Sequence, residues 1–203
     1  VTNPKLTCPT NASGTFISTT SNIGLGQGIV LTTGSIDNVK GPNDNPSAAT
    51  ENGGPGDTQL DALVGVKTMD ACVLEFDLVP SCDELKINYV FASEEYPLFV
   101  GTPYNDLFGF FISGPGITGT VDIATVPSTT TPVAINNVNG TTNSQYFVNN
   151  DNGQTIQYNG FTTPLTAKMK VIPCSSYHLK MAIADVGDES YDSGVFIEAG
   201  SIN

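Results

Sequence analysis

The chain has 203 residues, 39% of them hydrophobic, and a formal net charge of −13 from 20 acidic residues against seven lysines and no arginine. That balance repels phosphate backbones and anionic lipid headgroups, which argues against nucleic acid and the membrane surface as partners. No apolar run approaches the roughly 20 residues that cross a bilayer, so direct membrane insertion is not expected either.

Only 13% of the residues are charged, while Thr, Ser, Asn and Gly are abundant. This is the composition of an extracellular, all-β protein with a neutral polar surface. The length suits one large domain over residues 1–203, a β-sandwich or jelly roll. Val1 stands where an initiator methionine would, so the chain reads as a piece excised from a longer surface protein, with neighbouring domains of the same chain.

In chain order, strands are predicted over residues 14–20, 28–33, 71–79, 85–92, 107–113, 121–127, 166–172, 177–184 and 194–201, separated by turns rich in Gly, Pro and Asn. One short helix is predicted near 58–65, with Asp57 as its N-cap and Leu60, Leu63 and Val64 on one face. Residues 37–57 and 128–160 read as long surface loops, the second hiding short strands around Val133, Phe147 and Tyr158. Four cysteines, Cys8, Cys72, Cys82 and Cys174, form no CxxC pair. An even count in such a chain points to one or two disulfides, and three pairings of four cysteines are possible.

The most informative pattern is a strand that runs into acids, and it occurs twice. Residues 85–92 lead to Glu94-Glu95, and residues 177–184 lead to Asp185, Asp188, Glu189 and Asp192, with Gly187 and Gly194 allowing tight turns. Asn105-Asp106 opens the strand at 107. No lysine lies between Lys86 and Lys168 or after Lys180, so these carboxylates lack cations close by in sequence. If the strands end at one rim, the acids must shift their pKa values, pair or bind a metal. Ca²⁺ is the expected structural ion, because it takes six to eight oxygen ligands. The candidate ligands are Glu94, Glu95, Asn105, Asp106, Asp185, Asp188 and Asp192. A regular strand would aim Glu94 and Glu95 at opposite faces, so that only one of them shares a given ion. Asp57 and Asp61 read as a cap and an exposed side chain. Asp70, Glu75 and Asp77 are expected to face solvent or to staple turns.

Catalysis is not expected, and no catalytic residues or cofactor site are assigned. Glu94 or Glu95 with Asp106 or Asp192 could in principle act on a glycosidic bond, but the chain has no tryptophan to form a sugar-stacking wall. His178, the single histidine, alternates with apolar neighbours and reads as a structural strand residue. Two further classes stand beside the hydrolase: a binding or adhesion module for a glycan or surface-protein ligand, and a purely structural spacer.

The stretches DACVLEFDLVP from Asp70, YVFASEEYPLFVG from Tyr89, YNDLFGFFISGPG from Tyr104, and YHLKMAIADVGDESYDSGVFIEAGS from Tyr177 are long and specific. They closely resemble the choice-of-anchor L domain of bacterial surface proteins, over most of the chain from Ile23 to Ile202. The resemblance implies export to the bacterial cell surface, in multidomain proteins with adhesion-type modules and varied anchors. It carries no catalytic set to this chain.

Overall fold

The structure, a computed structural model, describes residues 1–202. The strands in chain order are β1 (Thr2–Thr7), β2 (Ser13–Ile17), β3 (Gln27–Thr32), β4 (Thr68–Leu78), β5 (Glu84–Ser93), β6 (Leu107–Ser113) and β7 (Val121–Asp122). There follow β8 (Val133–Ala134), β9 (Phe147–Asn149), β10 (Gly160–Thr162), β11 (Leu165–Lys170), β12 (Tyr177–Val186) and β13 (Ser193–Glu198), and one helix, α1 (Thr58–Val64), precedes β4. Two antiparallel sheets pack as a sandwich. The first runs β1-β4-β12-β6-β7, with β8 also on β6; the second runs β2-β3-β13-β5-β10-β9, with β11 also on β5.

Period-2 alternation decides which side chains meet between the sheets. From β12 these are Tyr177, Leu179, Met181 and Ile183; from β6, Phe108, Phe110 and Ile112; from β5, Leu85, Ile87, Tyr89 and Phe91; and from β13, Val195 and Ile197. The opposite faces are not left to solvent. Leu60 of α1 packs with Ala182, Ala184, Leu107 and Phe111 on the outside of the first sheet. On the outside of the second sheet, Val90, Ala92 and Phe196 pack beneath Ile23, Leu25, Ile156 and Tyr158. Hence β5 alternates between buried and half-buried over its first half and is buried on both faces over its second. The acids begin where both sheets are covered on both sides.

Alternation and capping identify α1 correctly. Asp57 accepts N–H bonds from Gln59 and Leu60, and Gly65 closes the helix at φ 79°. The strand expected over 121–127 stops at Asp122. Its Oδ1 accepts from Phe110 N at 2.9 Å and Ala124 N at 3.0 Å, so the side chain replaces the ladder and bends the chain away. β1 was not predicted, because all six of its residues are exposed and no apolar alternation marks it. Pairing with β4 and the Cys8–Cys72 disulfide hold it in place. Cys82 and Cys174 are exposed thiols on adjoining turns, where Cys174 N donates to Pro80 O at 2.8 Å.

Candidate functional site

Following the alternation past the strand ends separates the acids into two sets. On β5 the inward positions run Tyr89, Phe91, Ser93, so Glu95 continues the inner face and Glu94 the outer one. On β12 the inward series ends at Asp185. Asp106, one residue before β6, falls on the inner face with Phe108. On β13 Val195 and Ser193 point inward, which leaves Asp192 outside.

The contacts agree with that division. Between the sheets, Asp106 accepts from Val186 N at 2.9 Å and from the Ser193 hydroxyl at 2.7 Å. Asp185 lies beside it and near the Thr33 hydroxyl, with neither oxygen completing a hydrogen bond of normal geometry. Glu95 feels the charges of Asp106 and Asp188, and its Oε2 has no partner. On the outer face, the Glu94 backbone N–H donates to Asp192 O at 3.1 Å and its carbonyl accepts from Asn159 Nδ2 at 2.7 Å. Both Glu94 carboxylate oxygens lack a partner. Asp192 accepts from Thr50 N at 2.9 Å and Asn38 Nδ2 at 3.3 Å. A Cβ at Gly34 would overlap the Asp192 carboxylate, which is why that position is glycine.

Glu94, Glu95, Asp106, Asp185 and Asp192 are each 1% exposed. An isolated buried carboxylate is costly, and it responds by holding its proton or by acquiring a cation. Burial pushes Glu95 up to about 9, helped by the charges of Asp106 and Asp188. Burial likewise raises Glu94 to about 8, with the Asp192 charge adding to it. The nearby Gln157 amide offsets this only in part, because it donates to Asn43 Oδ1 and Asn45 O. Asp192 rises to about 6, burial outweighing its donors. Asp106 and Asp185 are both raised, chiefly by burial, and the Asp106 charge adds to the shift of Asp185. Among the described residues every ion pair lies elsewhere, on Glu75, Asp61, Glu84, Asp83, Asp77 and Asp57.

Of the seven predicted residues, five are buried: Glu95, Asp106 and Asp185 between the sheets, and Glu94 and Asp192 outside the second sheet. The other two are less buried. Asp188 is exposed and caps Ser190 N at 3.0 Å. Asn105 is half-buried, its Oδ1 accepting from Asn136 N at 2.8 Å. Among the described residues no three His, Cys, Asp or Glu side chains surround a common point as a preformed metal centre. Asp70 takes the second of the two roles expected of it: fully buried at φ 48°, it staples a turn, accepting from Asn52 N at 2.7 Å and from Gly54 N. Sequence reasoning missed the hydroxyls between the acids: Ser193 donates its N–H to Thr33 Oγ1 at 3.0 Å while its own hydroxyl holds Asp106. Ser193 follows Asp192 directly, and its inward register was the signal available. His178 bonds Asp77 at 2.9 Å on the exposed face of β12, a structural role as expected.

A separate cleft of about 720 Å³ opens at the side of the sandwich between β7 and β11. Asp122, Ser128, Thr130, Thr163, Thr166 and Lys168 are among the residues that line it.

Fold and site together define an all-β sandwich module with covered acids at its strand ends. The chain belongs to the Choice-of-anchor L domain family, whose match extends over residues 1–203. Such domains are parts of cell-surface or secreted proteins, and among the described residues no helix is long and apolar enough to cross a membrane. No curated protein matches the chain. Among solved structures it is similar to TmCBM61 in complex with β-1,4-galactotriose, at 7% identity and a TM-score of 0.39, over 96% of this chain and 83% of that one.

Proposed function

We propose that the chain is a non-catalytic, extracellular binding or adhesion module of a bacterial surface protein, stabilised by Ca²⁺ at the buried acids. The observation that carries the calcium reading is the set of five carboxylates, each 1% exposed, with no lysine or histidine paired to any of them. A hard divalent cation supplies the missing charge and takes its remaining ligands from carbonyls, amides and water. Neutralising these acids fixes the ends of β5, β6, β12 and β13, and with them the loops that meet there.

Burial of Glu95 and Asp106 supports the non-catalytic reading. A paired-carboxylate hydrolase needs both acids to face its substrate across an open cleft, and these two are closed over by both sheets. Ligand contact belongs to the surface instead. The cleft between β7 and β11 combines hydroxyl side chains and Lys168 with apolar side chains that include Ile123, Tyr146 and Leu165, a lining that suits an oligosaccharide, which presents both hydroxyls and C–H faces.

The test is to apply the chain to an oligosaccharide array with calcium and again with chelator. Retention of intact glycan that weakens in chelator is the expected result. Release of new reducing ends would overturn the non-catalytic reading, and absence of retention on glycan and surface-protein arrays alike would favour the spacer.

A further inference from the structure

We propose that the domain carries a second ligand site, independent of both the calcium reading and the β7–β11 cleft, for a small amphipathic anion: an apolar chain or ring bearing one carboxylate. A cavity of about 400 Å³ lies outside the second sheet, within the size range of small-molecule sites. Its floor is Phe16 of β2, Val30 of β3 and Phe196 of β13, where Phe16 and Phe196 meet edge to face at 5.3 Å. One wall is the loop after β2, with Ile23. The other forms where residues 39–41 run against 155–157, with Val39 and Ile156. Thr155 Oγ1 donates to Asn22 Oδ1 at 2.9 Å and ties the two walls together. β2 is an edge of the second sheet and β11 lies beyond β5, so this cavity shares no lining residue with the cleft beside β11.

Two polar features give the cavity its chemical preference. Lys40 is its only charged lining residue, in a chain with 20 acids against seven lysines. Among the described residues no carboxylate pairs with Lys40, whereas Lys5, Lys67, Lys86, Lys170 and Lys180 each have one. The cleft beside β11, by contrast, sets Asp122 against Lys168. The second feature is Ser18, whose hydroxyl oxygen is buried and has no hydrogen-bond partner. Leaving a buried polar group unsatisfied is costly, and a ligand oxygen completes the bond. Lys40 is exposed, so its charge draws the anionic end of the ligand to the mouth while the apolar body enters. A second copy of this chain is a poor occupant, because its net charge of −13 repels its like.

The experiment is a titration of the isotope-labelled full chain, followed through its amide NMR signals. The probes are sodium decanoate and sodium naphthoate below their aggregation concentrations, with decanol and decyltrimethylammonium as neutral and cationic counterparts. A carboxylate should bind one to one and shift the amides of residues 15–23, 36–41 and 154–156, the stronger of the two telling chain from ring. Lys40→Gln should weaken binding about threefold to fivefold, the worth of an exposed ion pair. Ser18→Ala should weaken it about tenfold, the worth of a hydrogen bond to a charged group, without destabilising the free chain. Lys5→Gln, the same charge change on β1, should leave it unaltered. Equal binding of the anionic, neutral and cationic decyl compounds would mean general adsorption to apolar surface and would overturn the proposal. So would the absence of any shift at these amides, or a dimer that buries them. The ranking of the decyl compounds on wild type decides the matter even where a variant does not fold.

Discussion

Glu94 and Glu95 are neighbours in the chain yet serve opposite faces of one sheet, Glu94 beside Asp192 beneath the outer loops and Glu95 beside Asp106 between the sheets. A one-residue offset at the end of β5 is enough to direct two charges to two environments. Replacing either with glutamine keeps the shape and removes the charge. In metal-free protein at pH 8, Glu95→Gln should melt higher than wild type, because the amide has no carboxyl to protonate on folding, a linkage worth about 1.4 kcal/mol for each pH unit above the ordinary carboxylate value. With calcium present the order should reverse. Differential scanning calorimetry in chelator and in calcium reads both signs.

Metal-free protein should lose stability as pH rises. Folded Glu94 and Glu95 titrate near 8 and 9, against an ordinary value of 4.5. Between those values the native state holds protons that the unfolded chain has released, so stability falls with rising pH. It is fully present below about pH 4.5 and lost progressively toward pH 8–9. Calcium should abolish or invert this slope, because its binding displaces the same protons. Melting temperatures from pH 5 to 9, with and without chelator, check this.

Much of this arrangement was legible in the sequence and some was not. The apolar run 107–113 is β6 to the residue, and Asp57 caps α1 as its position implied. Two strands running into acids pointed to the carboxylates that the structure buries, since period 2 survives to Asp185. What period 2 cannot show is burial. An acid at a strand end is a solvated rim unless something covers it, and the covers here are α1 and the loops around Ile23 and Tyr158, placed by tertiary contacts alone. β1 is likewise invisible, because pairing and a disulfide hold it in place of an apolar face.

The Cys8–Cys72 bridge closes a separation of 64 residues. Chain-entropy reasoning assigns about 4 kcal/mol to a loop of that size. Reducing it, or replacing both cysteines with alanine, should lower the urea midpoint accordingly. Replacing both Cys82 and Cys174 with serine, where the thiols are exposed, should shift it far less.

Asp57 joins the N-terminus of α1 to Lys180 of β12, with both side chains nearly buried. Asp57→Ala removes the cap and leaves Lys180 without its partner. A loss of about 1–2 kcal/mol is expected from the cap alone, with further loss from the unpaired lysine. Chemical denaturation measures it.

The central claim, that a cation balances the buried acids, is tested most directly by comparing the melting curve of the chain in millimolar calcium with that in chelator, alongside elemental analysis of the protein as purified. Native-state binding at a hundredfold excess over Kd adds about 2.7 kcal/mol per site, so the calcium curve should lie several degrees higher and calcium should be found in the protein. Superimposable curves with no bound metal would contradict the account.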